Sequence, residues 1–268
     1  MIATIKAEWR KSRFRPAFLI GSGIIAAITS LAYASSWYLA THPGAGPRAT
    51  SIATLYPDQV VNNVMGAAYP LGAALAIVLG TILSGSEYSW GTLKTSLTQG
   101  PGRLTLLAGR LTVFAALLAV LTAVLFAAGM PFSAVIAATQ NHAIVWPAFA
   151  DIAKGFGAIW LVFGVFGAIG FALGVVIRQS AAALGLGIVY LLAVEVIAVR
   201  FIDSLSNGDY KWVGDLFVGQ NASALLGHLS GAATGVSIGV SQAILVIAVW
   251  LVGVVVVAAG LLRVRDVT

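Results

Sequence analysis

The chain has no cysteine in its 268 residues, and only 9% of its residues are charged. The absence of cysteine excludes disulfides, thiolate metal sites and cysteine nucleophiles. The low charge is equally restrictive, because soluble domains carry about a quarter charged residues and use them to cover their surface. Lipid must therefore surround much of this chain, which is 59% hydrophobic and has a mean hydropathy of +0.97.

Residues for catalysis are also scarce. His42, His142 and His228 fall in three separate polar stretches, so their spacing is not that of a metal site. An intramembrane enzyme needs paired carboxylates, a Ser–His pair or metal ligands within mutual reach. The G-x-x-x-x-G-K-[ST] loop that cradles nucleotide phosphates is missing as well. The sequence therefore predicts a protein that is not an enzyme, with no metal site and no cofactor of its own.

Six apolar stretches are long enough to cross a bilayer, whose 30 Å core takes about 20 helical residues. They are residues 17–39, 64–85, 111–130, 155–177, 181–202 and 242–262. Only residues 178–180 separate the fourth stretch from the fifth, so five spans with one re-entrant segment is the competing count. We predict an all-α integral membrane protein with six transmembrane helices in one domain, residues 1–268.

The basic residues indicate the orientation, because Lys and Arg accumulate in short loops on the cytoplasmic side. With six spans, 11 of the 15 basic residues fall on the side that holds both termini. We therefore expect both termini to be cytoplasmic, in a bacterial cell membrane. The net charge of +6 follows this membrane rule, so it does not indicate nucleic acid as a partner.

The segment 1–16 predicts an amphipathic helix that lies on the membrane before Pro16 turns the chain into the first span. Its apolar residues recur at helical spacing, with basic residues on the other face. The apolar residues are Ile2, Ile5 and Trp9, and the basic residues are Lys6, Arg10 and Arg13. A simple charged flank that sets the orientation is the alternative interpretation.

A secretory signal is a further interpretation of this region. The basic start, the apolar run and Ala32-Tyr33-Ala34 resemble a signal with its cleavage site. Removal of that span would place the remaining basic loops outside, against the charge rule. We therefore expect the first span to be retained.

Glu195 is the one acidic residue well inside a span. An ionisable group at that depth is costly and normally faces the interior of the bundle or water, next to a partner. It is a candidate for the translocation path or for a hinge between two states. A structural carboxylate that binds a neighbouring helix is the alternative.

The segment between the second and third spans, residues 86–110, is the most informative loop. Thr92 is a suitable N-cap, and the leucines at 93 and 97 follow at helical spacing. Pro101 and Gly102 then end the turn before the third span. A short helix held between two spans is a suitable docking element for a cytoplasmic partner, although an ordinary loop has the same physical features.

This loop resembles the second cytoplasmic segment of the ABC-2 type permeases of bacterial ABC exporters. That segment has an acidic residue, then Gly-Thr-Leu, a further leucine, a turn with arginine, and Gly-Lys at the third span. The matching residues here are Glu87, Gly91, Thr92, Leu93, Leu97, Arg103, Gly109 and Arg110. The chain departs from the pattern in Gly-Pro-Gly before Arg103 and in arginine at position 110.

The resemblance implies a six-helix permease of type V exporter-like architecture that pairs with a second copy or a paralogue. Each permease would bind one cytoplasmic ABC ATPase, which holds ATP and Mg²⁺, through the coupling loop and the N-terminal helix. The implied function is efflux of a hydrophobic or amphipathic drug, antibiotic, peptide or lipid. The implied partners are the ATPase, the second permease and the lipid bilayer.

The outer segment, residues 203–241, is long and carries aromatic residues such as Trp212 and Phe217 among polar ones. In the ABC-2 family such a segment often forms short re-entrant helices that close the outer end of the path. An ordinary interfacial aromatic belt would have the same composition. A proton-coupled secondary transporter that uses Glu195 is the alternative function, although no internal repeat typical of such carriers is evident.

Overall fold

A computed structural model describes residues 2–42, 51–89, 102–206, 210–231 and 238–264. Every regular element within these ranges is helical. The short helices are α1 (Ile2–Ser12), α3 (Val60–Ala67), α7 (Ser180–Val189), α8 (Glu195–Ser206), α9 (Lys211–Gly214) and α10 (Val218–Leu229). The longer ones are α2 (Pro16–Thr41), α4 (Ala73–Ser89), α5 (Arg103–Thr139), α6 (Phe149–Ile177) and α11 (Val240–Val264).

The prediction of six spans is confirmed for the described residues. Six helices, some of them composite, are long and apolar enough to cross a membrane. They are Pro16–Thr41, Pro57–Ser86, Arg103–Thr139, Phe149–Ile177, Ser180–Ile202 and Val240–Val264. The third is much longer than the predicted 111–130, because basic residues at its start and Pro131 near its end are accommodated within one continuous helix. The fourth and fifth separate at Arg178, which adopts a left-handed conformation with φ of 57°.

The second and fifth spans are interrupted, which the predicted stretches did not include. The second span passes from α3 through a kink at Ala68–Gly72 to α4. Tyr69 is extended there, with φ of −134° and ψ of 135°, and the Tyr69–Pro70 peptide is cis. Pro70 has no N–H to donate, so it cannot continue the helical hydrogen bonds. The fifth span has a π-helical turn, Tyr190–Val194, between α7 and α8.

One end of the bundle, here called the basic end, gathers most of the described positive charge. It comprises α1, the start of α2, the end of α4, the start of α5, the α6–α7 turn and the end of α11. Nine described cations lie there: Lys6, Arg10, Lys11, Arg13, Arg15, Arg103, Arg110, Arg178 and Arg263. Both described chain ends therefore lie on one side of the bundle, as six crossings require.

The centre of the bundle is α6, since 72% of its most apolar segment is buried against 17% for α11. It packs most extensively on α4, where glycines on both helices let the backbones approach closely. A Cβ on Gly170 would overlap the backbone of Ile77, and one on Gly80 would overlap the carbonyl of Gly167. Gly167 and Gly170 of α6 therefore serve close helix packing within the chain.

We expect Gly170→Ala to destabilise the protein by about 1–3 kcal/mol, because the added methyl group overlaps α4 backbone that cannot move independently. Gly164→Ala is the matched control on the same helix, since a Cβ there meets no atom within 4 Å. Thermal unfolding in detergent measures both variants. Equal melting temperatures for Gly170→Ala and Gly164→Ala would contradict the close α4–α6 packing.

Candidate functional site

Glu195 is buried at the first position of α8, with 2% of its surface exposed. Its Oε1 atom accepts hydrogen bonds from the backbone N–H groups of Gly219 and Gln220, the latter at 3.0 Å. These are the second and third residues of α10, and the N-cap residue of that helix, Phe217, makes no side-chain capping bond. Glu195 therefore caps α10 from another helix, where a carboxylate also interacts favourably with the helix dipole.

The capped end of α10 lies deep in the bundle. Trp250 Nε1 donates to the carbonyl oxygen of Leu216, just before α10, at 2.9 Å. Trp250 is ten residues into α11, which corresponds to about 15 Å of helix. At the other end of α10, a ring nitrogen of His228 lies 2.7 Å from the carbonyl oxygen of Ile238, just before α11 begins. The chain after α8 therefore returns into the bundle, and α10 leads it back out beside α11.

Two tyrosines, one from each interrupted span, lie near the Glu195 carboxyl group. They are Tyr69 in the kink of the second span and Tyr190 in the π-helical turn of the fifth. A Cβ at Gly219 would lie 2.5 Å from Tyr69 Oη and 2.7 Å from Glu195 Oε1, so only glycine fits between them. A single π-helical turn inside a helix is frequent at functional sites. Both interruptions of the spans thus meet at one buried polar cluster, formed by Tyr69, Tyr190, Glu195 and the start of α10.

Some hydrogen-bonding capacity in this cluster is unused. The Tyr190 hydroxyl interacts with the buried carboxyl group of Glu195. Asn221 Oδ1 is buried without a hydrogen bond to a described residue. A polar atom left unpaired in a non-aqueous interior costs about 1–3 kcal/mol. The Tyr190 hydroxyl therefore helps to compensate the burial of the carboxyl group.

A second group of polar contacts holds α1 at the basic end. Glu8 and Arg110 form an ion pair at 3.4 Å, with side-chain exposures of only 9% and 6%. Arg15 donates to Ser86 Oγ at 3.4 Å. Arg103 donates to the carbonyl oxygens of Leu262 and Arg263 at 3.2 and 3.4 Å. The helix before residues 90–101, α4, is therefore bonded to the connection between α1 and α2. The helix after them, α5, is bonded to α1 and to the end of α11.

The predicted site residues separate into three groups. Lys6, Arg10 and Arg13 are exposed on α1, and Trp9 is half-buried against α5. Arg103 and Arg110 are at the basic end, and Glu87 lies near the end of α4. The remaining residues of the predicted coupling loop, Gly91, Thr92, Leu93 and Leu97, lie outside the described residues. Glu195 is about two-thirds of the way along the fifth span, away from the basic end, so it is not part of one site with the others.

Sequence reasoning missed Glu8, Tyr69, Tyr190 and Gly219. Glu8 had a usable signal, since it is the only acidic residue before Asp58 and is surrounded by basic residues. Tyr69 also had one, because the residue before a proline is disfavoured in the helical conformation. Tyr190 and Gly219 had none, since only the folded chain places them beside Glu195. No group of three His, Asp or Glu side chains in the described ranges could hold a metal ion.

The six apolar helices are those of a membrane-embedded protein. A family model described as a protein of unknown function (DUF2705) matches residues 19–268. The chain therefore belongs to this family. A search of curated proteins finds no match.

We expect Glu195→Ala to release α10, because the backbone N–H groups of Gly219 and Gln220 would lose their acceptor. Each buried donor left without a partner costs about 1–3 kcal/mol, so the loss is about 3 kcal/mol. The chain has no native cysteine, so Ala224→Cys on the buried face of α10 supplies a single thiol. Its alkylation by N-ethylmaleimide should accelerate about 100-fold in Glu195→Ala, since 1.4 kcal/mol corresponds to a factor of ten.

Glu195→Gln should have a smaller effect, because the amide oxygen can still accept from Gly219 and Gln220. The matched control is Asp151→Ala, which removes an exposed carboxylate whose ion pair with Lys154 contributes little. An alkylation rate that is unchanged by Glu195→Ala would show that α10 does not depend on this cap.

Proposed function

We propose that this chain is the membrane subunit of an ATP-binding cassette exporter of the ABC-2 type, driven by a separate cytoplasmic ATPase. The substrate is a hydrophobic or amphipathic molecule, and the complete transporter contains a second permease. The observation that carries the proposal is the set of bonds at the basic end, from Glu8 to Arg110, from Arg15 to Ser86 and from Arg103 to the end of α11. These bonds involve the helices that precede and follow, in sequence, the loop that resembles a coupling element.

These contacts provide a route for coupling. The loop follows α4 and precedes α5, so a partner that moves it also moves the ends of both helices. The buried pair of Glu8 and Arg110 makes α1 follow α5, since separation would leave two charges unpaired in the interior. Arg103 extends the connection to α11. A displacement of this loop therefore acts on α4, α5, α1 and α11 together. Alternating access requires such a concerted movement of helices.

We further propose that α10 forms the outer gate and that Glu195 is its latch. The helix lies against α11, α6 and α3, and its inner end is held by Glu195 and Trp250. The gate opens when α10 leaves the carboxylate. This assigns Glu195 as a hinge residue, whose acceptor oxygen holds α10 in the closed state and does not carry a proton.

A proton-coupled carrier is the second candidate, and the burial of Glu195 within a span beside the Tyr190 hydroxyl favours it. A proton on the carboxyl group can be donated to that hydroxyl oxygen. The two functions differ in their energy source. Transport by a carrier continues without any ATPase and stops when the proton gradient collapses, whereas transport by an ABC exporter requires ATP hydrolysis.

The orientation that this function requires, with the basic end in the cytoplasm of a bacterial cell, is tested by single cysteines. Gly102→Cys lies at the basic end and Lys154→Cys at the opposite end, both at exposed positions. A membrane-impermeant maleimide should label Lys154→Cys in intact cells and Gly102→Cys only after permeabilisation. The reverse pattern would contradict the proposed orientation and place the coupling loop outside.

The function itself is tested by purifying the chain with candidate ABC ATPases from its own genome and measuring ATP hydrolysis in lipid. We expect one ATPase to form a stable complex. Glu87→Ala, Arg103→Ala and Glu8→Gln should each change its hydrolysis rate about fivefold or more, the lower end of typical coupling free energies. Asp151→Asn, which alters an exposed ion pair, is the matched control and should leave the rate unchanged.

If no ATPase binds the chain, and gradient-driven transport depends on Glu195, the exporter proposal is wrong and the proton-coupled carrier replaces it. If an ATPase binds but the three variants behave like Asp151→Asn, the basic end is not the coupling surface.

A further inference from the structure

A groove of about 370 Å³ lies between α1 and α5 at the basic end. Its α1 wall includes Lys6, Trp9, Arg10 and Arg13, and its α5 wall includes Thr112 and Ala116. It is separate from the ion pair that holds α1 in place, because Glu8 and Arg110 are buried and neither lines the groove. Neither the proposed coupling loop nor the Glu195 cluster uses it.

The rim of the groove is strongly positive. Lys6, Arg10 and Arg13 recur at intervals of four and three residues, so they form one row along α1. All three are exposed, and none forms an ion pair with an acidic residue in the described part of the chain. The acidic residue of α1, Glu8, instead pairs with Arg110. The row therefore presents three charges to whatever enters the groove.

The floor of the groove is largely apolar. Trp9 lies on one side, and the buried Val113 lies at the base. Thr112 and Ala116 are four residues apart on α5, line the groove and are exposed. The groove therefore combines a cationic rim with an apolar floor.

We propose that this groove binds one anionic phospholipid, with its phosphate at Lys6, Arg10 and Arg13 and the first part of an acyl chain against Trp9 and Ala116. Charge complementarity selects an anionic headgroup, and the apolar floor selects a lipid over free phosphate. The inference requires only that the chain is embedded in a membrane, so it does not depend on the proposed exporter function.

The test is native mass spectrometry of the full chain in detergent, titrated with dioleoyl phosphatidylglycerol or with zwitterionic dioleoyl phosphatidylcholine. We expect one tightly bound phosphatidylglycerol per chain and no comparable retention of phosphatidylcholine. Lys6→Gln with Arg10→Gln should weaken phosphatidylglycerol binding about 25-fold, since each basic side chain near an anionic surface contributes about a factor of five. Lys154→Gln with Arg200→Gln removes the same charges at the opposite end and should have no effect.

Ala116→Trp provides an independent test, because it fills the apolar part of the groove and keeps every charge. It should reduce phosphatidylglycerol binding as well. In the unmodified chain, inorganic phosphate should not compete with phosphatidylglycerol for the groove. If Ala116→Trp leaves binding unchanged, or if phosphatidylcholine is retained equally, the proposal is overturned. Loss of ATPase association in Lys6→Gln with Arg10→Gln, without loss of phosphatidylglycerol, would identify the basic row as a protein interface instead.

Discussion

The structure depends on the way in which the first turn of α10 is held inside the bundle. A helix that begins within an apolar environment exposes backbone N–H groups that water cannot satisfy, and each unpaired group costs free energy. Glu195 meets this constraint by accepting from Gly219 and Gln220, and Trp250 separately satisfies the carbonyl oxygen of Leu216 by donating to it. The hydrogen bonds between the carboxyl group and the start of α10 offset both the cost of burying the carboxyl group and the cost of starting a helix there. They explain why an acidic residue occurs so deep in an apolar chain.

The same arrangement connects the two ends of the molecule. The rigid contact between α4 and α6 rests on glycine backbones that cannot be compressed further. At the basic end, α4 leads into the proposed coupling loop, and farther along the bundle α6 contacts both α10 and α11. In the proposed mechanism, displacement of the loop is transmitted to the Glu195 cluster through these packed helices. The interruptions of the second and fifth spans, at Tyr69 and Tyr190, lie beside that cluster.

Much of the fold could be predicted from composition. Apolar length identified six spans, and the basic residues identified the two ends of the bundle, because lipid constrains both directly. The interruption at Pro70 was also visible in the sequence, although hydropathy alone passes over it. Of the candidate site, Glu195 stood out as a charge in an apolar span. Its binding to α10 could not be predicted, because backbone N–H groups carry no sequence signal and the contact joins residues 24 positions apart. The Glu8–Arg110 pair, 102 positions apart, was hidden for the same reason.

The most direct test of this account is a distance measured between spin labels at Ser223→Cys on α10 and Ser35→Cys on α2, both at exposed positions. The measurement is made by pulsed electron paramagnetic resonance on the complete transporter in lipid, with and without trapped nucleotide. The account predicts one distance in the resting state and a second, distinct distance when nucleotide is trapped. It also predicts that Glu195→Ala populates the second distance without nucleotide. A single distance that neither nucleotide nor Glu195→Ala alters would contradict the assignment of α10 as a gate latched by Glu195.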